Sequence, residues 1–244
     1  VRATRGQRVI EVDGEITPVS GFSKSVNHYA CSRLAWKSEA SRIVANAGEI
    51  RQDIYTDWFH ATQYIEVLQD EGRLTMLTGG LPYHRRASRR FVDSVLIAGK
   101  EQQHKFGFGL GVNLDYPLTA AISRMTPPCI LKSSTGVPKS NESSWLFHFN
   151  RRNVVATWWA PIFEETNEQP SSGQWVGVRL RLRETEGRDG ALTVRCPRGI
   201  DTVERVKFSG ESIQSVALAE GSDSSFNIEF GRNDYFEVLI RWKK

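Results

Sequence analysis

The clearest pattern along the chain is alternation with a period of two. Residues 174–183 place Val176, Val178, Leu180 and Leu182 against Arg179, Arg181 and Arg183. Successive strand side chains point to opposite faces, so this segment buries one face and turns the other to water or a partner. Further strand-like runs are expected at 8–12, 27–37, 91–97, 104–113, 145–149, 153–160, 191–196, 202–208, 212–218, 226–230 and 235–242. Residues 41–47 and 49–55 read as a hairpin about Gly48, and 58–69 pairs with 73–78 through the turn Asp70, Glu71, Gly72. Gly107, Gly109 and Gly111 alternate with Phe106, Phe108, Leu110 and Val112, leaving one strand face bare for a backbone, a side-chain layer or a flat ligand. The following residues, Asn113 to Pro117, end that run in a turn, with no capped helix after it. Strands recurring every eight to fifteen residues without a sustained helical period predict an all-β sandwich architecture. Two polar, turn-rich intervals, 132–144 and 164–173, are the places for a boundary, and the division adopted is 1–160 and 161–244.

Composition narrows the function classes. The chain has 244 residues, enough to bury a sizeable core, and its 39% hydrophobic content argues against disorder. No window approaches the roughly 18 uninterrupted apolar residues of a membrane helix, so no membrane partner is expected. The net charge of +4 is small and the bases are scattered, which argues against nucleic acid. The local exception, Arg85, Arg86, Arg89 and Arg90, reads as a solvated or interdomain face. Cys31, Cys129 and Cys196 are odd in number and far apart, so each is expected to be a small buried hydrophobe. The chain begins with Val, as a fragment or a processed product would, and its localisation stays open.

Few residues carry the marks of a catalytic or metal site. The histidines, His28, His60, His84, His104 and His148, stand apart with no metal-ligand spacing, so neither a metal nor a cofactor is expected in this chain. No nucleophile elbow and no phosphate loop is present. The run GFGLGV lacks the helix that a dinucleotide loop needs. Asp93 and Asp115 sit in apolar settings and are the candidate buried acids, with pairing to the Arg85–Arg90 cluster or turn capping as the simplest roles. Glu184 and Glu186 flank a turn and read as solvated. Trp158 and Trp159 are adjacent, so a strand sends one inward and one outward, and the outward indole suits either a sugar ring or a domain contact.

The stretch 79–121 resembles a pattern in the C-terminal β region of the retaining α-mannosidases of glycoside hydrolase family 38. The resemblance is carried by the Gly79–Arg86 turn, by Asp93, by Phe108–Gly111 and by the Asp115–Pro117 ending. Residues 177–190 (GVRLRLRETEGRDG) are similar to that family's R-x-x-E-x-x-G strand and turn, and 203–210, 226–230 and 235–240 to its closing strands. The resemblance implies a large two-sheet β supersandwich of the galactose-mutarotase type, followed by a smaller C-terminal β-sandwich. It further implies a non-catalytic domain packed on the catalytic domain of the parent protein, with zinc only in that other domain. Carbohydrate is the implied partner, and Tyr83, His84, Arg85 and Arg86 are the implied loop lent to a sugar site. Two alternatives remain open: an autonomous carbohydrate-binding module using Trp158 or Trp159, and a mutarotase-type epimerase with His84, His104 or His148 facing an acid.

Overall fold

The structure, a computed structural model, describes residues 1–17, 28–99, 105–126, 129, 145–164 and 173–243. The chain divides into two compact units, Val1–Pro128 and Cys129–Lys244.

The first unit carries β1 (Arg2–Ala3), β2 (Val9–Glu15), β3 (Tyr29–Ala35), β4 (Arg42–Ala47), β5 (Ile50–Asp53) and β6 (Trp58–His60). It continues with β7 (Tyr64–Gln69), β8 (Gly72–Leu77), β9 (Tyr83–Ser88), β10 (Phe91–Ala98), β11 (Lys105–Val112) and the helix α1 (Pro117–Met125). The described strands pair antiparallel into a 7-stranded sheet, β1-β2-β11-β8-β7-β4-β5, and a 4-stranded sheet, β3-β10-β9-β6. Trp36, Ile43, Ala45, Ile65, Val67 and Val92 form one core with Leu34 and Phe59, drawing side chains from both sheets. On its other face the larger sheet meets α1, where Tyr64 and Leu77 pack with Leu114, Leu118 and Ala121.

Three sequence expectations change in this unit. The run 58–69 is two strands in two sheets, because the chain crosses from β6 to β7 at the buried Ala61. Residues 83–86, expected as a loop, lie in β9, which pairs with both β6 and β10. A helix does follow the glycine strand. Pro117 occupies its first turn, while no side chain caps its N-terminus. Leu118, Ala121, Ile122 and Met125 recur at helical spacing, but over nine residues that signal is brief. The hairpin at Gly48 forms as expected, with φ of 59° at Gly48 and 67° at Glu49, the positive pair that a tight two-residue hairpin turn requires.

The second unit carries β12 (His148–Phe149), β13 (Val154–Phe163), β14 (Trp175–Glu184), β15 (Gly190–Arg195), β16 (Ile200–Val206), β17 (Ser212–Ser215), β18 (Ser225–Phe230) and β19 (Tyr235–Trp242). Its described strands form a 3-stranded sheet, β12-β15-β18, facing a 5-stranded one, β13-β14-β19-β16-β17. Leu192, Val194, Phe226 and Ile228 from the first sheet share a core with Val178, Leu180, Leu182, Val238 and Ile240 from the second. The alternation of 174–183 is thereby realised, with leucines inward and arginines outward. A division at 160/161 falls inside β13, which pairs with β14 from Val154 to Phe163. The interval 132–144 lies outside the described residues, as does 165–172 within 164–173.

Candidate functional site

The smaller sheet of the first unit exposes one face, and the register decides which residues share it. Trp58 pairs with Arg85, His60 with Tyr83, and Asp93 with both Arg85 and Arg33. Tyr83 and Arg85 therefore stand on the outer face, while His84 and Arg86 point the other way. The Arg85 guanidinium lies 5.6 Å from the Trp58 ring and donates to the Tyr29 hydroxyl at 3.3 Å. Tyr29 meets the Trp58 ring edge-on at 5.6 Å. Arginine over an indole, with a tyrosine edge-on beside it, is a flat amphipathic platform.

Asp93 lies on β10, between β3 and β9 of the same sheet, and is 2% exposed. Its partner is Arg33, across the β3–β10 ladder, rather than the Arg85–Arg90 cluster; Arg33 Nε and Nη2 donate to its two oxygens at 2.6 and 2.8 Å. Burial and the nearby Asp93 carboxylate push the Cys31 thiol up. Asp115 is not a buried acid. Its side chain is 68% exposed, and it meets Arg8 and Arg73 at the surface.

His84 is a core residue, fully buried and stacked 5.4 Å from Phe59. Its Nε2 faces the carbonyl oxygens of Ala61 and Leu81 at 2.8 and 2.9 Å, and Nδ1 faces Ser94 Oγ at 2.9 Å. Two carbonyls can only accept, so Nε2 carries the proton and Nδ1 accepts from the Ser94 hydroxyl. Burial pushes the ring's pKa down to about 4. An imidazole tied in this way faces no acid across a groove, as an epimerase base would need to. His148 is exposed beside Trp145, and His104 lies outside the described residues.

In the second unit Trp158 and Trp159 are both exposed, at 42% and 55%. The two rings do face opposite ways, as adjacent strand residues must, and a bulge between Ala156 and Trp158 decides which is which, pairing Trp158 with Arg181 and Trp159 with Leu180. The core-side ring is exposed all the same, because β13 is an edge strand among the described strands and its core-side residues are incompletely covered. Trp158 joins the arginine face, where Arg181 lies 5.1 Å from its ring, 5.0 Å from Phe208 and 5.8 Å from Tyr235. Beneath them the fully buried Glu237 accepts from both Arg179 and Arg181.

Trp159 belongs to a different group. Its ring lies 6.5 Å from Trp175, and Trp175 meets Trp242 edge-on at 4.8 Å. Arg198 sits over both inner indoles, 5.3 Å from Trp175 and 4.6 Å from Trp242. Two hollows open here, of about 780 and 330 Å³, sharing Glu164, Val176, Trp242 and Lys243 in their walls. Trp175, Arg198 and Trp242 were not singled out in the sequence, where the one available signal was a tryptophan at one end of each of the two paired strands, β14 and β19.

Other expectations shift as well. Glu184 and Glu186 are buried rather than solvated. The Glu184 carboxylate accepts from the backbone N–H of Glu186, Gly187, Arg188 and Asn233 and from the Asn153 amide, closing the turn after β14. Cys196 is buried, but Cys31 is half-buried and Cys129 exposed. Among the described residues no three of His, Cys, Asp and Glu converge as a metal would require.

No protein-family model matches the chain, and no curated protein matches its sequence. Solved structures do match. One is a protein of glycosyl hydrolase family 38 from Enterococcus faecalis, with a TM-score of 0.58 over 83% of this chain and 25% of that one, at 10% identity. Another is an α-mannosidase from Enterococcus faecalis V583, with a TM-score of 0.64 over 97% of this chain and 28% of that one, again at 10% identity. The likeness is one of fold. The chain spans about a quarter of the length of these structures.

Proposed function

We propose that this chain is a β domain of a glycosidase-like, α-mannosidase-like protein, non-catalytic by itself, that packs on a catalytic domain and contacts carbohydrate. The observation that carries this reading is the fold likeness, which extends over nearly the whole chain yet only about a quarter of each family 38 structure. The state of the candidate catalytic groups supports it. His84 is committed to two carbonyls and a serine, Asp93 to Arg33, Glu184 to a turn, and Glu237 to two arginines. Each is already committed to a structural partner, which leaves none of these four in the pose of an acid facing a bond to be broken. In this reading a zinc ion belongs to the catalytic domain, and the contacts to sugar come from exposed aromatic and arginine side chains.

The test uses aryl mannosides with this chain and, separately, with the polypeptide encoded by the gene's full reading frame, each with added zinc. Hydrolysis by the longer polypeptide alone is the expected result. Turnover by this chain, or a full reading frame without a further enzymatic domain, overturns the reading.

A further inference from the structure

We propose that the tryptophan cleft of the second unit binds a neutral pyranose. This deepens the carbohydrate contact of the reading above, on which it rests, and gives that contact a location. The two hollows share a wall, and each has a volume in the range of small-ligand sites, roughly 300–1,000 Å³.

Three features point to a sugar. The first is a run of indoles from the interior outward: Trp242 is 6% exposed, Trp175 is half-buried and Trp159 is 55% exposed. A pyranose presents an apolar C–H face that stacks on such rings, while its hydroxyls reach the polar groups around them. The second is charge balance. Arg198, Arg241 and Lys243 are set against Glu164, Asp201 and Asp223, with Lys243 paired to Asp223 at 3.2 Å. Balanced donors and acceptors suit a polyol, which both donates and accepts, and give no net attraction for a phosphate or a polyanion.

The third feature is an unpaired polar group on the innermost ring. Trp242 Nε1 is buried and has no hydrogen-bond partner among the described residues, although its ring lines both hollows. Buried indole N–H groups are ordinarily paired, and an unpaired one is costly. A ligand hydroxyl oxygen arriving at this wall supplies the missing acceptor. The Trp175 N–H, by contrast, already donates to the Gly177 carbonyl at 2.5 Å and is left out of the ligand's contacts.

Isothermal titration of this chain with neutral manno-, gluco- and galacto-oligosaccharides tests the assignment, with ligand-observed NMR as a second readout. The expected result is saturable binding of at least one neutral series. Trp159→Ala and Arg198→Ala, both at exposed positions, are expected to weaken it at least about fivefold while the circular dichroism spectrum stays unchanged. Trp158→Ala serves as the control, because that ring stands on the opposite face of the same strand, and binding should persist. Loss of binding in Trp158→Ala but not in Trp159→Ala overturns the proposal. A blank titration across all three series overturns it too, and leaves the domain reading to the hydrolysis test, whose outcome does not depend on this cleft.

Discussion

At the scale of single residues, the charged and titratable groups inside the sheets do structural work, and His84 makes that measurable. Its folded pKa of about 4 lies below the ordinary 6.5, so between these values the unfolded chain binds more protons. Stability from the neutral ring is fully present above pH 6.5 and is lost as the pH falls toward 4, by about 3 kcal/mol in total. Urea midpoints measured across this window should fall with pH, and His84→Gln should flatten that dependence. Glu184 offers a second check. Glu184→Ala strands several backbone donors in a buried turn and should cost about 3 kcal/mol or more, read from denaturant unfolding. Neither role was legible in sequence. A buried polar residue is defined by its partners, and those of His84 and Glu184 lie up to 23 and 49 positions away.

At the scale of elements, the bare strand 105–112 and the helix that follows it explain each other. The face left open by Gly107, Gly109 and Gly111 receives a side-chain layer: a Cβ at Gly111 would meet Leu114, and one at Gly107 would meet Arg124 of α1. Arg124 also pairs with Glu11 on β2, tying the helix to the sheet. The alternation announced a close approach, whereas what approached was a helix too short for its periodicity to stand out. Gly79 is the tightest point of this arrangement. It adopts φ of 64°, and a Cβ there would run into the Gly107 carbonyl oxygen. Gly79→Ala should therefore cost more than about 2 kcal/mol. Gly48→Ala, at φ of 59° but with open space around it, should cost about 1 kcal/mol. Paired thermal melts of the two variants check the contrast.

At the scale of the whole molecule, each unit encloses its own core, and this sets an expectation for unfolding. Leu182→Ala removes a fully buried side chain from the second core and should cost about 2–5 kcal/mol. Calorimetry should show that loss in one transition while a second, belonging to the first unit, keeps its midpoint; a single shifted transition would mean the units unfold together. The sequence by itself determined the all-β class, most strand positions and the outward arginines of β14, because a period of two is a local property that every short segment displays. Tertiary structure alone decided that His84 is a core ring, that Arg33 rather than the basic cluster pairs with Asp93, and which of Trp158 and Trp159 joins the arginine face. It also gathered Trp159, Trp175, Trp242 and Arg198 at one end of a sandwich. Partners across a sheet are set by register and bulges, and one shifted residue moves a side chain to the opposite face.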